Sequence, residues 1–209
     1  MNWDNFIAPN VKEIKPSGIR KFFDIANQIE GVLSLSIGEP DFAAPEKIRQ
    51  AMIDSINEKK TSYTGNSGLP ELREAISEYF DTHYGVKYDP VNEIIVTVGV
   101  SEGLAMALSA FVSSGDEVLI PDPAYVAYPA SVQLAGGTPV MVPTYPEHDF
   151  KLSAEALEKV VTPKTKALVI GYPNNPTGTV MTAEELVPIA EFVKKHDLIV
   201  LADEIYCEL

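Results

Sequence analysis

A single cysteine, Cys207, stands among 209 residues. An internal disulfide framework is therefore excluded, and a reducing cytoplasm is the expected setting. Basic residues are also few: 16 Lys and Arg stand against 30 Asp and Glu, a net charge of −14. No Lys/Arg cluster offsets that excess locally, which argues against nucleic acid and against anionic membrane as partners. The N-terminus has no apolar signal region, and no apolar run approaches membrane-spanning length. Repeats and low-complexity tracts are missing. The three histidines, His83, His148 and His196, lack ligand spacing, so no metal is expected and each reads as solvated. Cys207 reads as a small buried hydrophobe. What remains, 45% hydrophobic and 22% charged, is ordinary for a globular chain able to bury one good core and part of a second.

From Glu93 onward the pattern is regular. Short branched apolar runs occur at Ile94–Val98, Glu117–Ile120, Val140–Val142, Ala167–Ile170 and Leu198–Ala202. Helical stretches lie between them, at about 101–113, 123–135, 153–160 and 182–195. Strands alternating with helices predict an α/β fold: a doubly wound, mostly parallel sheet sandwiched by helices. Upstream the chain is less regular. An arm and a first helix, with Ile19, Phe22, Phe23 and Ala26 as its apolar stripe, precede a short strand at Leu33–Ile37. Pro45 opens a helix, as proline does at a first helical position. Leu69, Leu72, Ile76, Tyr79 and Phe80 mark a second, amphipathic one.

Polar residues with chemistry gather just after the apolar runs. Asn175 and Asp203 each lie just past such a run, 28 residues apart, with Tyr206 close behind. A strand–helix–strand crossover sets both strand ends at the same sheet edge, where open α/β sheets bind ligands. A carboxylate there can pair with a protonated ring nitrogen. An amide and a phenol can hydrogen-bond a ring oxyanion. Val100-Ser101-Glu102 begins a helix, whose N–H groups and dipole favour a phosphate dianion; the bland alternative for Ser101 is an ordinary N-cap. Tyr125 offers an aromatic face for a flat ligand. Tyr128 fits that spacing less well and reads as packing.

Asn175-Pro176-Thr177-Gly178 with Asp203-Glu204-Ile205-Tyr206 resembles the class I/II aminotransferases of the fold type I pyridoxal-phosphate enzymes. The resemblance implies pyridoxal phosphate as cofactor. In it Asp203 meets the ring nitrogen, Asn175 and Tyr206 meet the ring oxygen, Tyr125 stacks, and Val100, Ser101 and Glu102 receive the phosphate. Asp203 and Tyr206 are the catalytic candidates. Ser62-Tyr63-Thr64-Gly65 resembles the segment that reaches the partner subunit's phosphate, so Tyr63 implies a homodimer. Ser36-Ile37-Gly38-Glu39-Pro40 resembles the segment whose glycine N–H meets the substrate carboxylate, which makes Gly38, with Asn175, substrate-binding.

The implied domains are an arm with a small-domain segment, 1–44, and a cofactor-binding large domain, 45–209, incomplete at its C-terminus. The family's cofactor-linking lysine is expected beyond Leu209. The implied activity moves an amino group between an L-amino acid and a 2-oxo acid. Two alternatives stay open at this point: a lyase, decarboxylase or synthase on the same scaffold, or a non-catalytic cofactor-binding regulatory module.

Overall fold

The computed structural model describes residues 3–14, 25, 28–29, 31 and 42–209. The stripe of Ile19, Phe22, Phe23 and Ala26, the strand expected at 33–37, and Gly38 lie outside the described residues. Two compact units make up the chain: 1–16 together with 98–209, and 17–97.

Two well-bounded helices among the described residues of 17–97 are numbered after the single turn α1 (Pro9–Lys12) of the other unit. The first, α2 (Glu46–Asn57), has Pro45 at its N-cap with extended backbone, one place before the first helical position expected. Next comes α3 (Pro70–Tyr84), which starts on Pro70 and stops at Gly85, where φ of 67° needs no Cβ to be accommodated. Arg73 and Ser77 of α3 donate to the carbonyls of Pro90 and Tyr88, at 2.6 and 2.5 Å, and so bind the following loop to the helix. Residues 94–98, expected as a strand, form none. Their composition suits a strand, but a ladder needs a partner, and the strands from Glu117 onward pair among themselves. Val96 N–H instead donates to the Ser67 carbonyl at 3.1 Å.

Four strands form one wholly parallel sheet: β1 (Glu117–Asp122), β2 (Thr138–Pro143), β3 (Thr165–Gly171) and β4 (Ile199–Asp203), in the order β2-β1-β3-β4. Strand side chains alternate between faces, and each face has its own core. Val118, Ile120, Ala167 and Val169 pack with Leu108, Tyr128 and Val132. These last come from α4 (Val100–Phe111) and α5 (Ala127–Leu134). The intervening residues Leu119 and Leu168 pack on the other face with Leu157, Ile189 and Phe192. Those belong to α6 (Ala154–Glu158) and α7 (Ala183–His196). A sheet covered on both faces this way is the doubly wound arrangement the pattern implied.

The order matters for function. The chain leaves β1 toward β2, then returns across β1 to β3 and on to β4. The direction of winding reverses between β1 and β3, which opens a crevice at their C-terminal ends.

Candidate active site

The crevice is a cavity of about 270 Å³ lined by Val100, Ser101, Tyr125, Asn175, Asp203 and Tyr206, together with Leu104, Ala127, Tyr128, Ser131, Gly171, Pro173 and Ile205. Six of the residues singled out from sequence thus meet in one place.

Each arrives by a local device. Gly99, with φ of 79°, is the N-cap of α4. Ser101 is therefore inside the first turn and is not the cap. The Glu102 carboxylate turns back to accept the N–H of Val98, which occupies that side chain and leaves only its backbone for a ligand. The first N–H groups of a helix have no partner within it, so the start of α4 presents donors and a positive dipole end at the cavity. Tyr125 is 40% exposed and stands edge-on to Tyr128, centroids 5.5 Å apart and planes at 81°.

The β3 exit is tied to the β1 exit by Asn174. Its buried amide donates to the Pro123 carbonyl at 3.1 Å and to the Thr177 hydroxyl at 2.8 Å. That leaves the next residue, Asn175, at the cavity, where its amide donates to the Tyr206 hydroxyl oxygen at 3.2 Å. The Tyr206 hydroxyl proton is then directed elsewhere, so amide and phenol together form a donor pair suited to an oxyanion.

Asp203 ends β4. Its Oδ1 accepts the Ile205 N–H at 3.1 Å and its Oδ2 accepts the Tyr128 hydroxyl at 2.8 Å. Burial, and next the Asp203 carboxylate, push the Tyr128 phenol well above the usual tyrosine range. It stays a neutral donor at physiological pH.

Some residues fall elsewhere or were not foreseen. Gly38 lies outside the described residues, and Tyr63, in the other unit, is fully exposed. Tyr128, read from sequence as packing, does pack, being 4% exposed, but its hydroxyl also belongs to the site. Its position one helical turn beyond Tyr125 was the available signal. Asn174 and Gly171 were missed as well. Cys207, expected to be buried, is exposed, because it lies in the turn after β4, where no described residue covers it. His196 is half-buried against Phe192 and the Glu158 carboxylate rather than solvated.

A cleft at the switch point of a parallel sheet, lined by a helix N-terminus, an aromatic side chain and a fixed carboxylate, defines an α/β protein with a ligand-sized cavity at its strand ends. The family model for aminotransferase class I and II matches residues 30–209, and the chain belongs to that family. Its members are pyridoxal-phosphate-dependent. The protein YugH of Bacillus subtilis (strain 168) is 54% identical over 98% of this chain and 53% of its own length. Aromatic-amino-acid aminotransferase 2 of Thermococcus litoralis is 48% identical over 96% of this chain and 51% of its own. A solved structure of Thermus thermophilus aspartate aminotransferase, a single mutant, superposes with a TM-score of 0.91 at 40% identity, covering 96% of this chain and 53% of that one. The chain spans about half the length of the curated relatives it matches.

Proposed function

We propose that the protein carrying this chain is an aminotransferase that moves an amino group between an L-amino acid and a 2-oxo acid with pyridoxal phosphate as its cofactor. The observation that carries this reading is the convergence of the α4 start, Tyr125, the Asn175–Tyr206 pair and the Asp203 carboxylate on one cavity. The donor set fits the group. A carboxylate held by two donors suits a protonated ring nitrogen. An amide–phenol pair, Asn175 after β3 and Tyr206 after β4, suits a ring oxygen. Val100, Ser101 and Glu102 offer backbone N–H groups to a phosphate. When bound, the cofactor supplies an electron sink for the substrate's Cα–H bond.

The chain's own residues have divided tasks. Asp203 keeps a positive charge on the ring nitrogen by Coulomb attraction across a half-buried site. Asn175 and Tyr206 stabilise charge on the ring oxygen. Tyr125 covers the ring face and keeps water from it. Gly38 is assigned to the substrate carboxylate, Asn175 to substrate as well as cofactor, and Tyr63 to the phosphate of a partner subunit, which makes the assembly a homodimer. Its full exposure supports that last role. A cytoplasmic location accords with one free cysteine. Dicarboxylic and aromatic amino donors are the first to assay, because relatives are named for each.

The test is Asp203→Asn in the protein carrying this chain. A neutral amide cannot hold the pyridinium proton. Transamination should fall by several orders of magnitude, about 5 kcal/mol or more of transition-state stabilisation, with the fold unchanged by circular dichroism. Turnover near that of the unaltered protein would remove Asp203 from the chemistry.

A further inference from the structure

Gly171 and Asp203 are cross-strand neighbours, the last paired residues of β3 and β4. Tyr128 comes from α5, packed on one face of the same sheet, and its hydroxyl oxygen lies at this pair. A Cβ built on Gly171 would stand 2.8 Å from that oxygen, closer than a carbon tolerates, and 3.7 Å from the Asp203 Cβ. The backbone of Gly171 is not among the positive-φ glycines, so conformation does not call for glycine here. Space does.

We propose that Tyr128 is a positioning residue for the Asp203 carboxylate, and that Gly171 is required because the Tyr128 hydroxyl fills the volume a side chain would take. The inference rests on the cofactor reading above. Asp203 has one donor on each oxygen, the Ile205 N–H on Oδ1 and the Tyr128 hydroxyl on Oδ2. Together they stop the carboxylate from rotating about its Cβ–Cγ bond. The phenol remains protonated beside the charge, so the direction of the bond is fixed: hydroxyl donates, carboxylate accepts. A protonated ring nitrogen has a single N–H to give. Its contact with Asp203 therefore depends on which way the carboxylate faces. Tyr128 itself does not touch the ring in this scheme; it acts through Asp203.

The measurement is equilibrium binding of two probes, pyridoxal 5′-phosphate and its 1-deaza analogue, in which CH replaces the ring nitrogen. Tyr128→Phe removes one oxygen and keeps the packing. It should weaken pyridoxal phosphate about ten-fold, the loss expected of one hydrogen bond to a charged group, and leave the deaza analogue within about two-fold. Gly171→Ala should do the same by displacing the hydroxyl. With the hydroxyl already gone the added methyl has room, so the double variant should bind no worse than Tyr128→Phe alone, a non-additive cycle. If Gly171→Ala does not fold, Tyr128→Phe and the double variant still decide. Equal weakening of both probes by Tyr128→Phe would make the tyrosine merely structural and overturn the proposal. So would unchanged binding, or single losses that multiply in the double variant. Asp203→Asn separates the two levels: it should abolish the preference for pyridoxal phosphate over the analogue. If the unaltered protein shows no such preference, the assignment of Asp203 to the ring nitrogen falls and this inference falls with it.

Discussion

Two adjacent asparagines show how much a single position decides. Asn174 is buried and spends its amide on the protein, tying the β1 and β3 exits together through Pro123 and Thr177. Asn175 is only partly buried and turns to the cavity and Tyr206. Identical side chains therefore predict opposite phenotypes. Asn174→Ala should lower stability by about 2 kcal/mol, from two lost bonds at a buried site, seen as a drop of several degrees in Tm. Asn175→Ala should leave Tm nearly unchanged, within about 0.5 kcal/mol, and weaken pyridoxal phosphate binding. Thermal melts and a spectral titration on both variants would expose the reverse pattern if the roles were exchanged.

At the scale of elements, α7 is set by its first residue. Thr182 accepts the Glu185 N–H and the Glu185 carboxylate accepts the Thr182 N–H, a capping box. Glu185 also takes the Lys151 ammonium at 2.6 Å. The helix ends with Asp197 in the left-handed region after Lys194, Lys195 and His196, cations suited to the negative dipole end. This helix packs Ile189 and Phe192 with Leu119 and Leu168 on one face of the sheet, and so supports β3, the strand that leads to Asn175. Thr182→Ala should cost about 1 kcal/mol, read as a lower denaturant midpoint with unchanged slope; an unchanged midpoint would deny the cap its weight. The Lys151 ammonium, and then the Thr182 N–H, hold the Glu185 carboxyl below the usual carboxylate range. A carboxyl depressed in the folded state adds stability above the pH at which the unfolded group titrates. That contribution is lost as pH falls through the depressed value. Acid titration of stability should therefore be shallower in Lys151→Met, and an identical curve would show that the pair adds nothing.

The whole molecule joins two compact units, 1–16 with 98–209 and 17–97. Among the described residues no helix is long and apolar enough to cross a membrane. Apolar side chains such as Ile95 and Val98 are more than half exposed, at the stretch that holds strand-like residues without a ladder. Tyr63 stands fully exposed in the unit without the cavity, and the homodimer proposal gives it a phosphate on the partner subunit. Mixing Tyr63→Phe subunits with Asp203→Asn subunits should then restore activity, since each heterodimer has one site with both lesions and one with neither. Heterodimers that form and stay inactive would place Tyr63 within its own subunit or outside the mechanism.

Much of this was written in the chain itself. Branched apolar runs at 117–120, 140–142, 167–170 and 198–202 stand out because buried parallel strands leave no polar alternation, and helical periodicity fills the gaps between them. Asn175, Asp203 and Tyr206 were legible because a parallel sheet sends every strand end to the same edge. Only the tertiary structure decided the rest. Whether 94–98 joins a sheet depends on a partner strand, which local composition cannot supply. Whether Ser101 or Gly99 caps α4 depends on one backbone angle. Tyr128 looked like packing because its ring is packing; its hydroxyl acquires a role only where β3 and β4 lie side by side, 75 residues away at Asp203. Gly171 carries no signal of its own, since the volume it leaves open belongs to a side chain from another element.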